Sequence, residues 1–189
     1  NTNITSDAVD TYEVADGATL TLKAAQATGV DVTASGASGS GTTTVTDIGS
    51  ATGADLAGIA TDVTVDLSSG DATLESGATI GDVNLDVTGG ASGDARTLDV
   101  SEMSGDNFGV TSTETITVDD YNTLILTAEQ ADGLDFAGSG DVVIEQLSDD
   151  QQTDLSSVAS DLDVTVEVDA TSDITGNTNI TSDAVDTYE

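Results

Sequence analysis

The chain has 189 residues, with 36 acidic and 2 basic side chains and a formal net charge of −34. Because nucleic-acid phosphates and anionic lipids are bound by clustered Lys and Arg, this charge excludes nucleic acid as a partner and excludes direct membrane contact. The chain has no Cys and no His, so disulfides, thiol nucleophiles, Ser-His triads and the commonest general base are excluded. So much negative charge also opposes compaction unless cations or high salt neutralise it.

The first thirteen residues, 1–13, recur without a change as residues 177–189. A match of this kind at a period of 176 residues is typical of one unit of a tandem array followed by the start of the next. A copy appended by design to close or polymerise a domain is the alternative. The copied segment has strand character, so it is either the next coil of a continuous structure or a strand that completes a neighbour's sheet. Both mechanisms predict head-to-tail assembly with neighbouring identical units.

Short runs of alternating apolar and polar residues follow along the whole chain, separated by Gly, Ser, Asp and Asn. The alternation predicts strands with one apolar face, and the separating residues predict turns. The runs repeat about every 10–12 residues, which favours an all-β sandwich, barrel or solenoid. The predicted strands are residues 19–22, 30–32, 42–47, 62–67, 82–87, 96–100, 114–118, 123–126, 134–136, 141–147 and 163–168.

Four short stretches have helical character. AAQA at residues 24–27 and AEQA at residues 128–131 are each predicted to form one turn after a strand. Residues 54–60 and 153–159 are predicted to do the same, since each has an Asp at a plausible N-cap position.

A second, diverged repeat lies inside the unit. TLTLKAAQATGVDV at residues 19–32 aligns with TLILTAEQADGLDF at residues 123–136, an offset of 104. The alignment continues after a loop that is shortened from ASGASGSG to AGSG. The predicted organisation is the start of the unit at 1–13, a first β module at 14–67, a Gly/Ser-rich β spacer at 68–115, a second, diverged module at 116–176, and the start of the next unit at 177–189.

The predicted fold class is all-β, as a β-solenoid-like repeat with short helical turns. Tandem immunoglobulin-like sandwiches are the alternative, because two modules in 176 residues also suit domains of that size. The offsets between successive modules are unequal, 104 and then 72 residues, and the chain has only 3 Tyr and 2 Phe. Both features fit equal sandwich domains less well than a solenoid.

These acidic, Cys-free runs rich in Thr, Ala, Gly and Asp resemble the repeats of very large secreted bacterial surface proteins. That group includes type I-secreted adhesins and crystalline surface-layer proteins. The resemblance implies an extracellular, structural or adhesive role at the bacterial cell surface, often with calcium as a stabilising ion. The calcium-binding nonapeptide GGxGxDxLx of many such proteins does not occur here, which argues against a calcium roll.

Calcium is also the metal that the residues themselves favour, because Ca²⁺ takes hard oxygen ligands from Asp, Asn and backbone carbonyls. The run 82–86, D-V-N-L-D, places three such side chains on one face of a strand, but Val87 replaces the Gly that an EF-hand needs. Other acidic candidates lie at turns and at a strand start. The alternative for each is surface charge that keeps the sheet soluble and its edges unpaired. The predicted ligands of Ca²⁺ are Asp82, Asn84, Asp86, Asp119, Asp120, Asp161 and Asp163.

The sequence therefore predicts a non-enzymatic structural unit of an extracellular fibre, stalk or surface layer. Carboxylate pairs give no glycosidase signal, since among 36 acids any two can lie close together. The alternative function is an adhesin repeat that itself binds a glycan or another surface ligand, for which stacking aromatics would be needed. Tyr12, Tyr121 and Tyr188 are predicted to be partly buried strand residues or contacts between units.

Overall fold

A computed structural model describes residues 11–147, 152–168, 179–181 and 187–188. These residues form a β-solenoid of about seven turns. All pairs of named strands are parallel, which confirms the solenoid prediction, because immunoglobulin-like sandwiches are built from antiparallel strands. Residues 1–10 and most of the copied segment 177–189 lie outside the described part. No helix within the described ranges has the length and apolar character needed to cross a bilayer.

The elements are short, as the frequent Gly, Ser and Asp turns predict. Two four-residue helices are present, α1 (Ala24–Ala27) and α2 (Ala128–Ala131), together with 3-10 turns at Ile48–Ser50 and Gly105–Asn107. The strands are β1 (Thr11–Ala15), β2 (Thr19–Lys23), β3 (Asp31–Ser35), β4 (Thr42–Thr46), β5 (Asp55–Leu56), β6 (Asp62–Asp66), β7 (Ala72–Thr73), β8 (Thr79–Ile80), β9 (Leu85–Thr88), β10 (Arg96–Asp99), β11 (Thr115–Val118), β12 (Asn122–Thr127), β13 (Asp135–Gly138), β14 (Asp141–Leu147), β15 (Gln152–Asp154), β16 (Asp163–Val168), β17 (Asn179–Thr181) and β18 (Thr187–Tyr188).

The coils have three sides. The first sheet forms one side with the strand order β2-β4-β6-β9-β11-β13, and the second sheet forms another with β7-β10-β12-β14-β16-β18. In the two coils that precede β7, the second side is formed by α1 and by the 3-10 turn at Ile48–Ser50. The 3-10 turn contacts both α1 and β7. The third side has shorter pairings: β1 with β3, a bridge from β3 to Ile59, β5 with β8, and a bridge from β8 to Phe108.

The core follows from the alternation along each strand, which turns every second side chain inward. Val45, Val65, Val87 and Val118 occupy one register position on four successive strands of the first sheet, and all four are fully buried. Full burial of such a side chain stabilises the folded state by about 2 kcal/mol before conformational entropy is counted. Stacked Val, Leu and Ile side chains therefore supply most of the core, to which Phe108 and Phe136 add two buried aromatic rings.

The two segments related by the internal repeat have the same local structure. In the first segment β1 pairs with β3, with Thr11 beside Asp31; in the second, β11 pairs with β13, with Thr115 beside Asp135. Thr115 and Asp135 lie 104 residues after Thr11 and Asp31, which is the offset of the internal repeat. The helical turns α1 and α2 follow β2 and β12 at the same offset, as the sequence predicts.

Hydrogen bonds between neighbouring coils are also conserved between the segments. The Gly29 N–H donates to the Asp55 carbonyl (3.0 Å), and the Gly133 N–H donates to the Asp154 carbonyl (2.9 Å). The chain is in the left-handed region at Asp47 (φ 55°) and again at the aligned Gln146 (φ 60°). The segments therefore share a backbone, although most of their surface residues differ.

The helical prediction for residues 54–60 and 153–159 is wrong. Both stretches contain a short strand followed by a turn, and neither contains a helix. Each Asp acts within that turn: Asp55 Oδ1 accepts a hydrogen bond from the Ala57 N–H (3.3 Å), and Asp154 Oδ1 accepts one from the Ser156 N–H (3.0 Å). An Asp that bonds the backbone two residues ahead forms an Asx turn, which competes with helix formation.

Candidate functional site

The last strand of the described chain is made by the sequence copy. β18 contains Thr187 and Tyr188, which repeat Thr11 and Tyr12, and it pairs in parallel with β16. In β1 the same two residue types pair with β3, which belongs to the following coil. In the copy, this strand pairs with a strand of the preceding coil. In the original, it pairs with a strand of the following coil.

The predicted ligands Asp82 and Asn84 are used within the protein. Asp82 is exposed just before β9, and its Oδ1 accepts a hydrogen bond from the Thr111 hydroxyl (2.9 Å). Asn84 joins three coils, because its Nδ2 donates to Asp62 Oδ1 (2.9 Å) and its Oδ1 accepts from the Thr115 N–H (2.8 Å). Both polar atoms of the Asn84 amide therefore stabilise the stacking of coils.

Asp86 lies among other carboxylates on the outer face of the first sheet. Its pKa is raised, first by burial and then by repulsion from Asp62 and Asp119, while a hydrogen bond with the Thr117 hydroxyl acts in the opposite direction. The structure therefore brings together two predicted ligands, Asp86 and Asp119. Asp62 is a third member that the sequence analysis did not single out; the repeated D-x-x-x-D spacing of 62–66 and 82–86 is the signal that would have found it.

Asp119 and Asp120 lie at an open pocket of about 330 Å³ in the turn between β11 and β12. Asp120 Oδ1 accepts a hydrogen bond from the Ser139 hydroxyl (2.5 Å). Asn122 is buried and fixes the turn, since its Oδ1 accepts from the Gly90 N–H (2.9 Å) and its Nδ2 donates to the carbonyls of Asp119 and Asp120 (3.1 Å each). We call this the Tyr121 pocket; it is lined by Gly89, Gly90, Asp119, Asp120, Tyr121, Asn122 and Ser139.

Tyr121 is not the partly buried strand residue that the sequence predicts. Its side chain is 50% exposed, and its backbone is in the left-handed region at φ 64°. The position equivalent to Tyr121 in the first segment is Gly17, at φ 70°. A side chain in this conformation costs about 1–2 kcal/mol relative to glycine. Tyr12 is partly buried in β1 as predicted, and the side chain of Tyr188 lies outside the described part.

The remaining predicted ligands are Asp161 and Asp163. Asp163 begins β16 directly beside Asp141 of β14, and the pKa of Asp141 is raised by burial and then by repulsion from Asp163. Asp161 is exposed in the turn before β16, with the Ser160 hydroxyl 3.5 Å from its Oδ1. The structure therefore pairs Asp163 with Asp141, which the sequence analysis did not select.

Glu145 is another acidic residue that the sequence analysis missed. Its pKa is raised first by burial and then by repulsion from Asp99, Glu167 and Glu102. The runs DVVIE (141–145) and DVTVE (163–167) carried the signal, because each begins with Asp and has Glu four residues later. Parallel pairing of the two runs places Asp141 directly beside Asp163, and Glu145 lies near Glu167 where the register shifts after Ile144.

These carboxylates lie across neighbouring strands and do not form a cage: Asp141 is beside Asp163 in the second sheet, and Asp86 is near Asp62 and Asp119 in the first. We call these two groups the acidic columns. Among the residues that the structure describes, no group of three or more carboxylates is arranged to hold a metal ion. Repulsion within the columns nevertheless means that a cation bound beside them would stabilise the folded state. The calcium site stays a prediction.

Comparisons of the chain with protein-family models, curated proteins and solved structures found no match. Three features of the chain itself bear on its function. They are the copied strand on β16, the acidic columns on the outer faces of both sheets, and the Tyr121 pocket.

Proposed function

We propose that this chain is a non-enzymatic unit of an extracellular array, a fibre, stalk or surface layer at a bacterial cell surface, that elongates head to tail through identical units. The observation that carries the proposal is β18, the copied strand, which continues the second sheet beyond β16. A parallel solenoid extends without a fixed limit, because each coil presents to the next coil the same kind of edge. The remaining strands of a second unit would follow β18 in the chain, just as β2 and the later strands follow β1 in the first unit.

A direct test is the length of chains built from one, two and three units. With about seven turns per unit and about 4.8 Å per coil, each added unit should lengthen the particle by about 35 Å in small-angle X-ray scattering. Proportional growth of a rod of constant cross-section is the expected result. Units that scatter as separate beads on flexible connections would contradict the proposal.

Calcium is the stabilising ion that we propose for this array. The net charge of −34 is opposed by only two cations, and the pKa values of Asp86, Asp141 and Glu145 are raised by burial first and by neighbouring carboxylates next. Divalent cations beside such columns would replace repulsion by attraction, and oxygen ligands favour Ca²⁺. The array would then be stiffer where calcium is abundant, as it is outside cells.

The calcium proposal is tested by thermal unfolding after chelator treatment, with Ca²⁺ added back and Mg²⁺ as the control ion. Because a ligand of the folded state stabilises it by mass action, the midpoint should rise with Ca²⁺ and much less with Mg²⁺. Asp163→Asn should reduce the rise if the β14–β16 column binds the ion. If the two ions raised the midpoint equally, the calcium proposal would be wrong and the carboxylates would serve only as solubilising charge.

A glycan-binding adhesin repeat is the second candidate function, and the Tyr121 pocket is the observation that favours it. An exposed aromatic ring beside carboxylates suits a sugar, because the ring covers the apolar face of the sugar while polar groups bond its hydroxyls. Screening a panel of immobilised glycans would test this, with Tyr121→Gly expected to abolish binding and Tyr121→Phe expected to retain it. A panel without a ligand, or binding that survives Tyr121→Gly, would eliminate this candidate.

A further inference from the structure

The two related segments occupy different sides of the solenoid. In the first segment β1 and β3 lie on the third side, and β2, β4 and β6 lie in the first sheet. In the second segment the equivalent strands are β11 and β13, which lie in the first sheet, and β12, β14 and β16, which lie in the second sheet. These five strands of the second segment are thus displaced by one side, which is one third of a turn in a three-sided coil.

The copied strand repeats this displacement in the same direction. β18 is the equivalent of the start of β1, and it lies in the second sheet directly on β16. The first strand of the second segment, β11, likewise lies in the sheet that contains the last strand of the first segment, β6. In both cases a segment begins on the side where the preceding segment ends.

The register at this junction sets a buried position of β16 beside the copy of a core-facing position of β1. Val166 is buried in β16, and its register partner is Tyr188, the copy of Tyr12. In β1, Tyr12 packs against the core and Val14 is buried, while Thr11 is exposed. The inward positions of the two strands therefore coincide. A slip by one residue would turn the apolar positions of the added strand toward solvent, so the pairing is specified by burial.

The same displacement explains the unequal offsets in the sequence. Between β6 and β11 the first sheet contains one additional strand, β9, whereas β18 follows β16 directly. The longer offset of 104 residues therefore contains one more coil than the offset of 72. After either offset the next segment begins one side further around the solenoid, although the two offsets differ in length by one whole turn.

We propose that the outer edge of β16 receives β1 of the next identical unit, with Thr165 beside Thr11, and that the array is therefore a screw in which each segment is turned by one third of a turn. Since one unit contains two segments, each unit is turned by two thirds of a turn, and identical residues return to the same side only at every third unit. The screw rests on the proposed array. Its consequence is that the Tyr121 pockets and acidic columns of successive units face three directions, so the fibre has no single binding side.

The test uses a chain of two complete units, in which every introduced cysteine pair is unique because the protein has no Cys. Thr165→Cys in the first unit and Thr11→Cys in the second should form a disulfide on oxidation, since register partners on adjacent parallel strands lie within disulfide distance. The matched control joins Asp154→Cys of the first unit to Thr11→Cys of the second. Asp154 is in β15, which follows β14 of the second sheet and precedes Val158, the bridge partner of Phe136 in the first sheet. By this order β15 lies on the third side, where an unrotated second unit would begin, so this pair should stay reduced.

Particle length measured on the same two chains separates the two proposals. A rod of double length with the Thr165–Thr11 disulfide supports the screw. A rod of double length with the Asp154–Thr11 disulfide, or with neither, overturns the screw and leaves the array standing. A particle that is not a continuous rod overturns the array, and the screw with it. As a second readout, gold labels on Tyr121→Cys in a six-unit chain should repeat their direction every third unit in electron micrographs; labels along one side would contradict the screw.

Discussion

The two related segments share a backbone, but two carboxylates in each have opposite environments. In the first segment the pKa of Asp16 is lowered, chiefly by a hydrogen bond from the Ser38 N–H, and the pKa of Asp47 is lowered by a hydrogen bond from the Lys23 ammonium. In the second segment the pKa values of Asp141 and Glu145 are raised, first by burial and then by neighbouring carboxylates. Asp16 and Asp47 thus receive donors, whereas Asp141 and Glu145 lie beside other acids. Asp154 of the second segment resembles the first pair, since hydrogen bonds from Ser156 lower its pKa.

Loop length accounts for part of this difference. The loop after β3 folds over Asp16, so that the N–H groups of Ser38 and Ser40 donate to its carboxylate (3.2 Å each). The equivalent loop after β13 is four residues shorter, and Asp120, the equivalent of Asp16, receives only the Ser139 hydroxyl among the bonds that the structure gives for its carboxylate. The shortened loop leaves the Tyr121 pocket open. A difference in one surface loop thus accompanies an open pocket on a shared scaffold.

The largest expected effect comes from removing a matched core leucine from each segment. Leu126→Ala should destabilise the protein by about 3–5 kcal/mol, because Leu126 is fully buried in β12, between β10 and β14. The equivalent Leu22→Ala should cost about 2 kcal/mol, since β2 is the terminal strand of its sheet and a cavity there can collapse more easily. Urea unfolding measures both, with Leu126→Met as a volume-conserving control. Equal losses at the two positions would show that the end coil is packed as rigidly as the middle.

Asn122→Ala is expected to have the next largest effect. It leaves the Gly90 N–H and two turn carbonyls without the partner that Asn122 provides, at a cost of about 1–3 kcal/mol. The reverse change at the equivalent position, Ala18→Asn, should be nearly neutral because Ala18 is exposed. Chemical denaturation of both variants measures the difference. A neutral Asn122→Ala would mean that water replaces the amide and that the pocket does not depend on it.

Tyr121→Gly should stabilise the protein by about 0.5–1 kcal/mol. The change removes the cost of a left-handed tyrosine, partly offset by the greater conformational freedom of glycine in the unfolded chain. Gly17→Ala, at the equivalent position, should be destabilising because alanine is strained at φ 70°. Thermal unfolding compares the two variants. A loss of stability in Tyr121→Gly would show that the tyrosine ring stabilises the turn. The left-handed backbone at Tyr121 would then not be a net energetic cost that needs a binding role to explain it.

The smallest expected effect is the pH dependence of the acidic columns. Raised pKa values mean that the folded state favours protonation, so the stability contributed by β12, β14 and β16 should increase by a few tenths of a kcal/mol as the pH falls from 7 through the raised pKa values of Asp141 and Glu145. Asp16 and Asp47 act in the opposite sense. Their contribution is present above the ordinary value of 3.8 and is lost as the pH falls further, through their lowered pKa values.

Hydrogen exchange resolved along the chain measures this contrast. Protection of β14 and β16 should rise between pH 7 and pH 4.5, after correction for the intrinsic exchange rate, while protection of β1 to β4 stays constant. Asp163→Asn removes one repelling charge beside Asp141, and it should raise protection at pH 7 and flatten the pH profile. The same pH response in both segments would contradict the assignment of repulsion to the β14–β16 column.

Local patterns predicted most of the architecture and little of the candidate site. Alternation predicted strands such as β6, and the repeated AAQA and AEQA runs predicted α1 and α2. The same reasoning failed at Asp55 and Asp154, where a side chain that suits an N-cap forms an Asx turn within a coil. It also failed at Tyr121, because a tyrosine flanked by polar residues does not reveal that it occupies a glycine position.

The sequence by itself determined the all-β class, the paired segments and the scale of the charge, and it favoured a solenoid over sandwiches, because alternation, self-similarity and composition can be read along the chain. Only the tertiary structure showed which carboxylates lie close together. It also showed that the Asn84 amide hydrogen-bonds to both neighbouring coils, and that the second segment is turned by one side. The physical reason is that contacts in a solenoid join residues about 20–30 positions apart, as in the pairs Thr21–Thr44 and Thr117–Asp86. The lengths of the turns set those distances, and the alternation of apolar and polar residues does not encode them.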